Sequence, residues 1–202
     1  FSDVFCEKDV FTVEQARRIL EAAKQNGLGA KIHADEFSDT GGASLAAEVG
    51  AASADHLLCS SDQGIREMAS RGTVGVLLPA APLTLMTGKY ANARKMIERG
   101  MPVAIGTDLS PSCMVESQQI SIGLACYSMR MTPAEAMVAA TINAAHAVGE
   151  ASRIGSLEPG KKADLVIANI PSHRFLGYRF GVNLADTVIK DGRVVVEDHR
   201  LV

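Results

Sequence analysis

Lys31-Ile32-His33-Ala34-Asp35-Glu36 is the stretch on which the fold turns. It closes a short apolar run, Gly29 to Ala34, and opens a loop rich in Gly, Ser and Thr. A strand repeats its faces every two residues, so His33 and Glu36, three apart, do not share a strand face. A strand ending at His33, with Glu36 on the loop that leaves it, accommodates both. In a parallel α/β barrel, that end of a strand is where active sites are built.

The flanking sequence repeats the pattern. Thr12 can cap a helix, and Gln15 three residues on completes a capping box. Val13, Ala16, Leu20 and Ala23 then share one helical face, with Gly27 as the stop. Beyond His33, Leu45 to Val49 reads as a short helix stopped by Gly50. Ala54 to Leu57 reads as a strand with His56 near its end. Ile65, Met68 and Ala69 mark a helix closed by Gly72, and Thr73 to Leu78 is almost wholly apolar, as a strand buried on both faces should be. A loop with Pro79 and Pro82 leads to a helix over Ala91 to Glu98. Val103 to Ile105 is a fourth strand, running into Gly106-Thr107-Asp108.

Four strand–loop–helix units in succession predict a parallel sheet. Two further helices are expected, the second starting at Thr132-Pro133-Ala134-Glu135 and running to about Val148. After Arg153 the texture changes to Gly/Pro turns and β-branched runs. Ala163 to Ile167 reads as a strand, and the runs Thr187 to Lys190 and Arg193 to Glu197 flank Asp191-Gly192, a strong hairpin signal. The expected fold class is α/β, with a βα region over residues 1–152 and a small β region over 153–202. A closed (β/α)8 barrel needs roughly 250 residues, so about 150 residues with four βα units amount to half of one. The abrupt start at Phe1 fits the expectation of a piece of something longer.

The totals are those of a globular protein: 202 residues, 47% hydrophobic, formal net charge −3, mean hydropathy +0.11. The near-neutral balance, without a basic tract, argues against a nucleic-acid partner. No run approaches ~18 uninterrupted apolar residues, so no membrane span is expected. Cys6, Cys59, Cys113 and Cys126 lie far apart with no C-x-x-C, the pattern of reduced thiols in a cytoplasmic protein.

A lone histidine at a strand end is more often structural than a ligand. Here His33, His56 and Asp108 each fall at the tip of a separate strand, with Glu36 one loop step away, and such tips converge on one face. His33 is the candidate metal ligand and Glu36 the candidate for handling a substrate proton. Asp108 suits a carboxylate ligand, a general base, or both in turn. A catalytic zinc takes about three protein ligands plus water, and no H-x-H occurs in the chain, so this set is incomplete. His146, His173 and His199 read as packing or surface residues. Gly41-Gly42 is a flexible turn, since the G-x-x-x-x-G-K-[ST] phosphate loop is absent.

Lys31 to Leu57 (KIHADEFSDTGGASLAAEVGAASADHL), Phe5 to Thr12 (FCEKDVFT), Tyr90 to Ile97 (YANARKMI) and Gly106 to Asp108 (GTD) resemble the imidazolonepropionase family of metal-dependent amidohydrolases. TINAAHAVG followed by IGSLEPGKKADLVI resembles the amidohydrolase superfamily generally. The resemblance covers the whole chain and matches the C-terminal portion of such enzymes. It implies the C-terminal half of a TIM-like (β/α)8 barrel plus part of a small β-sandwich domain. It also implies hydrolysis of 4-imidazolone-5-propanoate to N-formimidoyl-L-glutamate, in histidine degradation, by a metal-activated water. On matching positions, His33 and Asp108 would be metal ligands for one zinc or iron ion. Asp108, His56 and Glu36 would be catalytic, with Glu36 and His56 also contacting the substrate ring. Ser110 stands where relatives usually have Asn and would be a substrate contact. The implied partner is a small-molecule substrate and the implied assembly a homodimer. Rival expectations are a related nucleobase deaminase or chlorohydrolase, and a non-catalytic amidohydrolase-like scaffold.

Overall fold

A computed structural model describes all 202 residues, Phe1–Val202. Five parallel strands form one sheet in chain order: β1 (Ser2–Cys6), β2 (Ala30–Ala34), β3 (Ser53–His56), β4 (Val74–Leu77) and β5 (Val103–Ile105). The first three joints carry helices α1 (Val13–Gln25), α2 (Gly42–Val49) and α3 (Asp62–Arg71), and the fourth carries α4 (Ala80–Thr84) and α5 (Ala93–Glu98). After β5 come α6 (Gln118–Met129), α7 (Pro133–Ala140) and α8 (Ile142–Ala147). Because all five strands run one way, their C-terminal tips share one rim.

Local chemistry sets the helix ends as the sequence suggests. Thr12 and Gln15 form the capping box of α1, and Thr132 and Glu135 form that of α7, with Pro133 at its first position. Gly50 and Gly72 close α2 and α3 in the left-handed conformation that a Cβ disfavours. The core lies between the sheet and its helices, where Ile32, Leu20, Leu45, Met68, Leu77 and Met96 are fully buried. Along β2 the alternation is clean: Ala30, Ile32 and Ala34 pack under the helices, while Lys31 and His33 face the other way.

The structure corrects four expectations. A strand, β1, precedes α1, so the sheet has five strands and not four; its S-D-V-F-C run is too short to show a period. The Pro79–Pro82 segment contains the one-turn-plus helix α4 and is not all loop. The helix expected from Thr132 to about Val148 breaks at Thr141, whose backbone (φ −123°, ψ −95°) is not helical. A two-residue strand, β9, was also unmarked.

The second sheet is an antiparallel meander of β6 (Leu165–Ala168), β7 (Ala185–Lys190), β8 (Arg193–Glu197) and β9 (Arg200–Leu201). Asp191 and Gly192 join β7 to β8 with φ of 49° and 79°, the left-handed pair a tight hairpin requires. The segment between β6 and β7 rests on α6. The Tyr127 hydroxyl donates to the Tyr178 carbonyl at 3.0 Å, the Leu184 amide donates to the Gln119 side chain at 2.8 Å, and the Phe180 ring edges Tyr127 with centroids 6.3 Å apart. No helix is long and apolar enough to cross a membrane. All four cysteines are free thiols.

Candidate metal and hydrolytic site

The rim at the strand tips gathers the reactive residues. His33 is the penultimate residue of β2, and His56 ends β3. In-register pairing of β2 with β3 sets His33 beside Asp55 and Ala34 beside His56. The His33 and His56 rings lie 5.2 Å apart, centroid to centroid, and the Phe5 ring edges His33 at 5.8 Å. Left-handed backbone at Asp35 (φ 51°), His56 (75°), Leu57 (61°) and Asp108 (58°) turns the chain sharply at three of the tips. Such conformations are costly for non-glycine residues and cluster at functional sites.

His33 is held by a residue not singled out in the sequence. Its Nδ1 lies 3.0 Å from Asp3 Oδ1, a pairing in which Nδ1–H donates and Nε2 is left as a free lone pair. That bond, with the negative charges of Asp3, Asp55 and Asp108, raises the His33 pKa despite partial burial. Asp3, His33 and Asp55 bring ligand-type atoms within 4.8 Å of one another. Asp55 is engaged elsewhere, accepting from the Ser53 hydroxyl at 3.0 Å and facing Lys31 Nζ at 3.9 Å. Burial raises its carboxyl pKa, opposed by Lys31. The carboxylate–imidazole pair is the usual support of a metal-ligating histidine.

Glu36 follows on the loop and is buried to 8% exposure, yet its carboxyl accepts no hydrogen bond within the chain. Burial, then the negative charge of Asp108, pushes its pKa up to about 7. His56 is buried at 3% exposure. Desolvation, then the charge of His33, lowers its pKa to about 4, so it is neutral at physiological pH. His56 Nδ1 sits 3.5 Å from Glu36 Oε1, too long and poorly aligned for a hydrogen bond, and is a buried nitrogen without a partner. With His56 neutral, this contact is not an ion pair.

Asp108 lies on the loop after β5, its carboxyl raised by burial and opposed by His33. Thus His33, Glu36, His56 and Asp108 share one electrostatic site. Ser110 does not join them through any hydrogen bond: its backbone closes a turn with Cys113 and its hydroxyl meets Ser112 at 3.2 Å. The donors available to a metal are the free Nε2 of His33 and the Asp108 carboxylate. Imidazole and carboxylate suit zinc or iron, and the Asp3 bond already orients the imidazole, so these residues fit such an ion.

Two carboxyl groups missed in the sequence brace this rim. Asp35 is fully buried and accepts from Thr40 N and Oγ1 (both 3.0 Å), Gly42 N (2.9 Å), Ala43 N (3.0 Å) and Ser60 Oγ (2.9 Å). It therefore caps the start of α2 and ties the loop after β2 to the loop after β3. Gly42 permits this, since a Cβ there would come within 2.9 Å of Ala34 Cβ. Glu7, after β1, is also buried and bonds the loop of Glu36 from the other side. Asp35 lies inside the opening K-I-H-A-D-E stretch, and its place beside Gly41-Gly42 is the one signal that could have marked it.

The model of the amidohydrolase family matches residues 7–195. The imidazolonepropionase of Geobacillus kaustophilus (strain HTA426) is 60% identical over 202 residues, covering 100% of this chain and 47% of that protein. That of Alkaliphilus metalliredigens (strain QYMF) is 50% identical, covering 100% of this chain and 48% of that protein. The chain spans about half the length of the curated relatives it matches. Among solved structures, a zinc-bound adenosine deaminase from Xanthomonas campestris superposes with a TM-score of 0.80 at 21% identity, over 99% of this chain and 52% of that one. A mutant of the atrazine chlorohydrolase TrzN from Arthrobacter aurescens, complexed with zinc and atraton, gives 0.81 at 21%, over 99% and 51%. These likenesses establish the fold as part of a (β/α)8 amidohydrolase barrel with part of a small β-sandwich domain. On the family match over nearly its whole length, the chain belongs to the amidohydrolase family.

Proposed function

We propose that this chain carries part of the active site of an imidazolonepropionase, which opens the ring of 4-imidazolone-5-propanoate with water to give N-formimidoyl-L-glutamate. The observation that carries it is geometric: the His33 and His56 rings lie 5.2 Å apart at one rim, the Glu36 carboxyl lies 3.5 Å from His56, and Asp108 stands on the loop after β5 close enough to act on both His33 and Glu36. The near relatives supply the substrate class.

His33 Nε2 and Asp108 would hold the metal, zinc or iron, as two of about three protein ligands. When bound, the ion lowers the pKa of a water so that hydroxide is available near neutral pH. Hydrolysis then needs three proton and charge movements. Asp108 accepts the proton that the attacking water loses. Neutral His56 donates a hydrogen bond to the carbonyl oxygen as negative charge develops there. Glu36, whose pKa burial pushes up to about 7, delivers a proton to the departing ring nitrogen as the C–N bond breaks. Ser110, two residues past Asp108, is assigned a substrate contact.

The test is an assay of the full-length protein for loss of 4-imidazolone-5-propanoate, run beside ammonia release from nucleobases. Imidazolone turnover without deamination is expected; deamination alone overturns the assignment. His33→Ala should abolish both bound metal and turnover. Full metal occupancy with normal turnover in that variant would remove His33 from the ligand set.

A further inference from the structure

Glu7 is a carboxylate in an unexpected place. It sits just past the tip of β1, is 3% exposed, and lies far in sequence from the loop it serves. Burying a charged group is unfavourable unless it is paired or well hydrogen-bonded. Four donors meet it: the Lys8 amide at 2.8 Å, the Phe37 amide at 2.8 Å, the Ser38 amide at 3.4 Å and the Ser38 hydroxyl. Burial works against its ionised form, yet these donors, the Ser38 hydroxyl first, hold its pKa below the ordinary value. Three of the four belong to Phe37 and Ser38, the two residues that follow Glu36.

Glu36 has no comparable support of its own. Its carboxyl accepts no hydrogen bond, and His56 Nδ1, itself without a partner, is at 3.5 Å. Its direction is therefore set by the backbone on either side. On the near side that backbone is fixed by Asp35 and β2. On the far side the chain between Glu36 and Thr40, where Asp35 grips again, is held by Glu7.

We propose that Glu7 is a positioning residue for Glu36, its two oxygens clamping Phe37 and Ser38 so that the Glu36 carboxyl stays aimed at the substrate beside His56. The proposal rests on the reading of Glu36 as the group that handles the substrate proton. Glu7 is hydrogen-bonded to none of His33, Glu36, His56 and Asp108; its charge adds only slightly to the raised pKa of Glu36, and Ser38→Ala, which keeps that charge, isolates the clamp. A Gln at position 7 has one acceptor oxygen: set on the Phe37 and Ser38 amides it leaves an NH2 group against the Lys8 amide and reverses the Ser38 hydroxyl bond, and set the other way it faces both loop amides with NH2.

A double-mutant cycle in the full-length protein tests it. Glu7→Gln alone should lower kcat for 4-imidazolone-5-propanoate by about tenfold to a hundredfold, the scale of a small misplacement of a reacting group. Metal content by elemental analysis should be unchanged. In a Glu36→Gln background, the same Glu7→Gln substitution should cost less than about twofold, because the group it positions is already gone. Ser38→Ala removes one clamp donor with little threat to folding; it should cost a few-fold in the wild-type background and nothing further beside Glu36→Gln. Equal losses in both backgrounds, or Glu7→Gln and Ser38→Ala at wild-type kcat, would overturn the clamp. Glu36→Gln with wild-type turnover is a separate failure, of the role of Glu36 itself, and would take the clamp with it.

Discussion

At the scale of single residues, the rim is braced by buried carboxyl groups whose bonds all lie within the chain. Asp35 is the strongest case, since five donors converge on its two oxygens and it is fully buried. An Asn at this position keeps one acceptor oxygen and turns the other into a donor, leaving buried N–H or O–H groups without a partner. Hydrogen bonds to a charged group and the cost of orphaned donors each run to about 1–3 kcal/mol. Asp35→Asn should therefore lose on the order of 3 kcal/mol, lowering the melting temperature by roughly 6–12 °C for a chain of this size. Thermal denaturation by circular dichroism checks this. A variant melting within a degree or two of wild type would mean that the loop after β2 is held by other contacts.

Among the elements, α7 shows how much of a helix is written locally. Thr132 caps it, Pro133 opens it, and Glu135 both closes the capping box and pairs with Arg94 of α5. The Arg94 bond, then the Thr132 contacts, lower the Glu135 pKa to about 2 from the ordinary 4.5. A depressed carboxyl pKa adds stability that is complete above the unfolded value and is lost as pH falls toward the folded one. Glu135→Gln keeps a capping-box side chain but removes the charge. Both partners are about one-third exposed, so the loss at pH 7 should be only about 0.5–1 kcal/mol. In melts taken across pH, the gap between wild type and variant should hold steady above roughly 5 and close between about 4.5 and 2. A gap that persists unchanged at the acid end would exclude the ion pair as its source. What stayed hidden in this region depends on distant partners. The break at Thr141 lets α8 present Asn143, whose side-chain amide donates to the Val103 carbonyl of β5 at 2.8 Å, a demand that no local periodicity expresses. The site divides the same way. His33, Glu36, His56 and Asp108 stood out as ionisable groups at strand tips, whereas Asp3 and Asp55 gain meaning only from strand register, and Glu7 from a contact thirty residues away.

Across the whole molecule, the sheet is an open arc, with β1 and β5 at its two ends. The ends are not equivalent. On β5, the carbonyls of Val103 and Ile105 are already occupied by the side-chain amides of Asn143 and Gln118, at 2.8 and 2.9 Å, and the strand is only three residues long. Short length and covered polar groups are how proteins blunt an edge. On β1, Ser2, Val4 and Cys6 bond toward β2, beginning with the Ser2 amide on the Gly29 carbonyl at 2.8 Å. The outward groups belong to Asp3 and Phe5, and of these the Phe5 carbonyl takes the Phe11 amide at 3.3 Å. The amides of Asp3 and Phe5 are left facing outward along an otherwise regular strand. An unpaired strand of this kind is a template for pairing with another chain, and Phe1, 56% exposed, stands at its start. The chain of residues 1–202 expressed by itself should therefore associate through β1. Light scattering coupled to size exclusion should show mass rising with concentration. Asp3→Pro, which removes an outward amide and keeps every ladder bond to β2, should shift the chain toward monomer. A monodisperse wild-type monomer with a single cooperative melt would show that the β1 edge is closed by some other means, and equal association of Asp3→Pro would move the contact elsewhere on the arc.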